Sequence, residues 1–220
     1  MKNKKSLIII NVSLILLSIL FTILVKFVGV GIAGDSQTSV GFASINQFVF
    51  DLTGVNMIFY HITDWMGFIP VFVALAYMII GIIQWIKRKK LTSVDKEIFW
   101  LGAFYILIFI VYVFFEKVVV NYRPVFMDGY LEPSYPSSHT LMAICILGSS
   151  FIVNKKLYNN KASKICNIIS IVIMTIIVVG RFISGVHWFT DIIGGILISS
   201  ALLMTLYNVV NITIKQEKQE

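Results

Sequence analysis

Charge is scarce in this chain. Only 13% of its 220 residues are charged, while 58% are apolar and the mean hydropathy is +0.88; in a soluble domain about a quarter of residues carry charge. That scarcity excludes a water-soluble fold and leaves the bilayer as solvent. Cysteine is nearly absent: Cys145 and Cys166 both fall inside apolar runs without metal-type spacing, which excludes a disulfide framework and makes them small buried hydrophobes. Repeats, low-complexity tracts and long polar stretches are missing too, so residues 1–220 are expected to form a single membrane domain. The net charge of +7 would suit nucleic acid only as a basic surface on a soluble domain. Here the cations sit in short loops between apolar runs, and no nucleic-acid partner is expected.

What the chain has in abundance is apolar runs of about 20 residues, the length that crosses a hydrocarbon core of about 30 Å. Six are found, at approximately 6–26, 66–86, 98–117, 138–154, 165–184 and 188–210, and they predict an all-α integral membrane protein, a six-span helical bundle. Gly31 and Ala33 resemble a signal-peptidase site, but the apolar run before them is longer than a signal core, so the first run is expected to remain as a span. Lys and Arg in short loops stay on the cytoplasmic side. With both termini inside, that side holds Lys2, Lys4, Lys5, Lys87, Arg88, Lys89, Lys90, Lys96, Lys155, Lys156, Lys161, Lys164, Lys215 and Lys218, fourteen of the eighteen basic residues. Lys26 can snorkel from the first span. Trp85 and Trp100 flank the inner KRKK loop, and Trp65 and Trp188 are placed at outer ends, in the headgroup region that indoles favour. The connection 27–65 is the longest on the outside, and a short helix lying along the interface is expected there.

Only Lys117, Arg123 and Arg181 remain for the outer face, where they violate the charge rule. They converge with two of the three histidines. One outer connection reads Lys117-VVVNY-Arg123-Pro124 and then Pro136-Ser137-Ser138-His139; the next reads Arg181-FISGV-His187-WFT-Asp191. Such a set describes an anion site. A phosphoryl group in transfer spreads negative charge over its oxygens and demands fixed positive charge around it, which the three cations can supply, the arginines as bidentate forks. Ser137 and Ser138 open the fourth span, adding hydroxyls and N–H groups at a helix N-terminus. His187 and Asp191, four apart, share a helix face; the carboxylate can fix one ring nitrogen and leave the other free to attack. His139, arriving from the other loop, can protonate the departing oxygen and later deprotonate a water. Taken singly, each of these residues also has a structural reading, including an Arg181–Asp191 ion pair. His61 lacks comparable spacing and is read as structural, and Glu116, Asp128 and Glu132 as loop acids balancing the site.

These residues closely resemble the type 2 phosphatidic acid phosphatase family, whose pattern is Lys-x6-Arg-Pro, then Pro-Ser-Gly-His, then Ser-Arg-x5-His-x3-Asp. The motifs run from Lys117 to Asp191. The resemblance implies an all-helical bundle that cleaves phosphomonoesters or diphosphates through a phosphohistidine, with neither metal nor other cofactor. Carried over, it assigns phosphate binding to Arg123, Arg181 and Ser137, the general acid to His139, the nucleophile to His187 and its orientation to Asp191. Three departures stand out. Lys117 lies six positions before Arg123 rather than seven, with Glu116 in the family lysine's place, a shift of about 100° around a helix. Ser138 replaces glycine, and Gly180 replaces serine.

The expected partners are the bilayer and a membrane lipid phosphate. The composition reads as bacterial, with undecaprenyl diphosphate first among substrates and phosphatidic acid or phosphatidylglycerophosphate next. An anion transporter is the rival class, against which no ionisable residue apart from Lys26 is expected at mid-span depth; an inactive lipid-binding scaffold is another. Nothing in the sequence fixes an oligomeric state.

Overall fold

The computed structural model describes residues 2–158 and 160–217. Lys218, counted above among the inner cations, lies outside the described residues. All six expected spans are helical: α1 (Lys2–Phe27), α4 (Phe68–Arg88), α5 (Lys96–Lys117), a fourth made of α6 (Ser138–Met142) and α7 (Gly148–Leu157), α8 (Lys161–Ile183) and α9 (Phe189–Glu217). The fourth is continuous through a π-helical turn at Ala143–Leu147. It is also the most enclosed of the six spans. A helix ringed by protein need not present apolar residues to lipid, which is why this run looked short in the sequence. Around it pack α4, α5, α8 and α9, while α1 lies along α9, pinned where Asn208 Nδ2 donates to the Leu7 carbonyl.

The connection between α1 and α4, which loop charge places outside, is more built than expected. It contains an antiparallel hairpin, β1 (Gly31–Ala33) and β2 (Thr38–Val40), then α2 (Ala43–Thr53) and α3 (Met57–Met66). Asn56 starts α3 by accepting the N–H groups of Ile58 and Phe59, and Gly67 joins it to α4. The hairpin is a cap: Ser36 Oγ donates to the Arg123 carbonyl (2.7 Å), and Ala33, Val40 and Phe50 pack with Trp188. Trp188 is therefore buried, its Nε1 donating to the Tyr122 carbonyl (2.7 Å), and not at a headgroup interface as its position in the sequence suggested. Trp65, by contrast, is exposed. Cys145 is buried, but Cys166 is exposed on α8 beside Ile165, Ile168 and Ile169. That outer surface of a span faces lipid, where a small apolar thiol is equally at home.

The turn between α8 and α9 is held against α3. Ser184 accepts the Asn56 N–H (3.0 Å), and Gly185 takes φ +65, with space for no side chain: a Cβ there would lie 1.8 Å from the Gly54 oxygen. Glycine at this position meets both demands.

Candidate active site

The ends of α5, α6 and α8 and the start of α9 bring the two motif-bearing loops together. His187 is buried between them. Its Nδ1 lies 3.2 Å from the Ser134 carbonyl and 3.7 Å from Asp191 Oδ2. The expected histidine–carboxylate hydrogen bond is thus replaced by a carbonyl contact, while the Asp191 oxygens accept elsewhere: Oδ2 takes the Trp188 N–H (3.0 Å) and Oδ1 takes Asn121 Nδ2 (3.2 Å). The result for the ring is the same. A carbonyl only accepts, so Nδ1 carries the hydrogen and Nε2 keeps its lone pair. Nε2 is buried without a partner. Burial, followed by the charges of Arg123, Arg181 and His139, holds the His187 pKa well below its ordinary 6.5, against a smaller opposing effect of the Ser134 carbonyl.

Both arginines are buried. Arg123 Nε lies 3.0 Å from Glu132 Oε2. Arg181 does not pair with Asp191: its Nη2 donates to Asp64 Oδ1 (2.8 Å) and its guanidinium lies 4.9 Å from the centre of the Tyr60 ring, while Nε and Nη1 have no partner. Asp64 Oδ1 also lies 3.3 Å from His139 Nε2, and His139 Nδ1 is buried and unpartnered. Among the described residues, six of the eight buried side-chain nitrogen or oxygen atoms lacking a hydrogen bond belong to Arg123, Ser137, His139, Arg181 and His187. Native interiors rarely leave such groups unmet, and a concentration of unmet donors around a base is what an oxyanion would satisfy.

A cavity of about 260 Å³ opens onto the cluster, lined by Tyr112, Glu116, Arg123, Glu132, Ser138 and His187 among others. Arg181 and Ser137 are fully buried and are not on its wall. His139 faces a smaller cavity of about 170 Å³ with Gly67, Pro70 and Tyr112, sharing Tyr112 and Ser138 with the first. Lys117 lines neither cavity; it is exposed at the end of α5, and Glu116 faces the cavity instead. α5 ends at Lys117 itself, one residue after Glu116. His61 touches Tyr60 edge-on and has no part in the cluster.

Three participants escaped sequence reasoning. Asn121 was visible as the lone amide in the spacer of the first motif. The Ser134 contribution is a backbone carbonyl and leaves no side-chain signal. Asp64 lies 75 residues before His139 and 117 before Arg181. The glycine at position 180 acquires a reason here: a Cβ would meet Thr63 Cγ2 at 2.4 Å, so glycine lets α3 approach α8. Gly180→Ser is accordingly expected to lower stability by about 1–3 kcal/mol through overpacking, and Thr63→Ala in the same chain to restore most of it. Thermal unfolding in detergent measures both; additive losses would contradict the contact.

The family model described as the PAP2 superfamily matches residues 99–215. No curated protein matches the chain. A solved structure described as the first transmembrane PAP2-type phosphatidylglycerolphosphate phosphatase, from Bacillus subtilis, is similar over 93% of this chain and 96% of its own, with a TM-score of 0.59 and 20% identity.

Proposed function

The chain belongs to the PAP2 superfamily of membrane lipid phosphatases, and from that premise we propose that it hydrolyses a lipid phosphate at the outer membrane face through a phosphohistidine on His187. The observation that carries this reading is the free, buried His187 Nε2 beside two buried arginines, of which Arg181 keeps two donors unmet. Nε2 attacks phosphorus, the bond to the lipid oxygen breaks, and His139 gives that oxygen a proton; water then attacks the phosphohistidine, His139 takes its proton, and phosphate leaves. Arg123 and Arg181 balance the charge on the transferring oxygens, and Asp191 holds the backbone that presents His187.

The cavity wall bears on the substrate. One arginine, Arg123, shares the wall with two phosphate-repelling carboxylates, Glu116 and Glu132, while Arg181 is buried off the wall and Lys117 is exposed outside the cavity. That balance suits a phosphomonoester such as phosphatidylglycerophosphate or phosphatidic acid better than undecaprenyl diphosphate, whose second phosphate would need further cations. An apolar groove between α4 and α5, lined by Val71, Leu75, Phe109 and neighbours, starts one residue beyond Pro70 and could take the lipid chain. In detergent with EDTA present, phosphate release from phosphatidylglycerophosphate or phosphatidic acid is expected to exceed that from the diphosphate. No release from any of the three would overturn the enzyme reading and favour a lipid-binding scaffold.

The pH profile follows from the sign of the His187 shift. A histidine whose pKa is held down stays neutral, and so nucleophilic, in acid where an ordinary one is protonated. The acid limb of kcat/KM assigned to His187 is therefore expected well below pH 6.5. Half-maximal activity near pH 6.5 on that limb, with no other group responsible, would contradict the buried environment.

A further inference from the structure

α3 carries none of the three motifs, yet one of its oxygens holds two site groups at once. Asp64 Oδ1 accepts from Arg181 Nη2 at 2.8 Å and lies 3.3 Å from His139 Nε2. The surroundings are shaped for this contact. Gly180 admits Thr63, the residue before Asp64, against α8. Gly67, three residues after Asp64, leaves room for the imidazole: a Cβ there would come within 2.8 Å of His139 Nε2. Tyr60, one turn before Asp64, lies against the same guanidinium.

Nε2 of His139 faces, at 3.3 Å, a carboxylate that when ionised only accepts, so Nε2 is the nitrogen suited to carry a hydrogen and the buried, unpartnered Nδ1 is the one left to exchange a proton with substrate. His139 thus mirrors His187, with one ring nitrogen held by an oxygen acceptor and the other free. We propose that Asp64 is a positioning residue for proton transfer, fixing the His139 ring through Nε2 so that Nδ1 serves the leaving oxygen. This rests on the reading of His139 as general acid. As the P–O bond breaks, the Nδ1 proton moves to the lipid oxygen, leaving neutral His139 with its Nε2 hydrogen still on Asp64; Nδ1 then accepts a proton from the water that attacks the phosphohistidine.

Leaving-group dependence tests the proposal. A long-chain alkyl phosphate needs its departing oxygen protonated, whereas a nitrophenyl phosphate carrying the same chain departs as a stable anion. Asp64→Asn keeps the shape and removes the charge. It is expected to lower kcat on the alkyl substrate by about 100-fold and on the aryl one by at most about fivefold, the difference being a general-acid contribution. Asp64→Glu should recover part of the alkyl rate, and in a His139→Ala background Asp64→Asn should cost the alkyl substrate nothing further. Equal losses on both substrates, or a further loss in the His139→Ala background, would overturn the proposal and leave Asp64 as a support for Arg181 or for the fold. If the wild type releases no phosphate from either substrate, the phosphatase reading fails and the role of Asp64 with it; an active wild type with equal losses sinks the Asp64 role alone.

Discussion

Replacing His187 with alanine is expected to reduce phosphate release by about 10⁴-fold or more, the scale on which removal of a nucleophile acts. No neighbouring group can substitute. Ser137 Oγ is buried with no base bonded to it, His139 is held by Asp64, and the Asp191 oxygens are occupied by Trp188 and Asn121. The fold should tolerate the change, because the ring makes one hydrogen bond, to the Ser134 carbonyl, while Trp188 and Gly185 hold the same loop by other contacts. A loss of activity in a variant that melts within a few degrees of wild type is the expected outcome. Residual activity within tenfold of wild type would require another nucleophile.

The second large effect is expected at Arg181. Its guanidinium satisfies Asp64 with Nη2, stacks on Tyr60 and keeps Nε and Nη1 in reserve. Lysine retains the charge but offers one nitrogen, which can meet Asp64 or a phosphoryl oxygen, not both in this geometry. Arg181→Lys is therefore expected to lower kcat/KM by about 10³-fold, comparable to loss of an arginine that stabilises a transferring phosphoryl group. A fall of less than tenfold on phosphatidic acid, in protein that elutes and melts normally, would show that Arg181 is a structural cation serving Asp64 alone.

The spans were legible because each is a long apolar run, and a bilayer reads hydropathy along the chain without regard to tertiary detail. The site was legible to the extent that its residues share short stretches: Arg123, Ser137, His139, Arg181, His187 and Asp191 stand in three local patterns, and the structure gathers them. What escaped depended on distance or on backbone. Asp64 reaches Arg181 and His139 only through the approach of α3 to α8, which Gly180 permits. The Ser134 carbonyl, not the Asp191 carboxylate, makes the hydrogen bond to His187, and nothing in a side-chain pattern distinguishes the two. The burial of Trp188 followed from a hairpin too short to show an alternating pattern. Lys117 is the converse case: the correct residue type one position out of register, at the last residue of α5, exposed and lining neither cavity.

The central claim is that phosphate passes through His187 Nε2. The direct measurement is to mix the detergent-solubilised protein with phosphatidic acid labelled in its phosphate, quench in alkali, where phosphohistidine survives, and locate the label by mass spectrometry of peptides. The account predicts label on the peptide containing His187, appearing before free phosphate and absent from His187→Ala. Phosphate released at full rate with no label on His187 at any time would contradict it and point to direct attack by water.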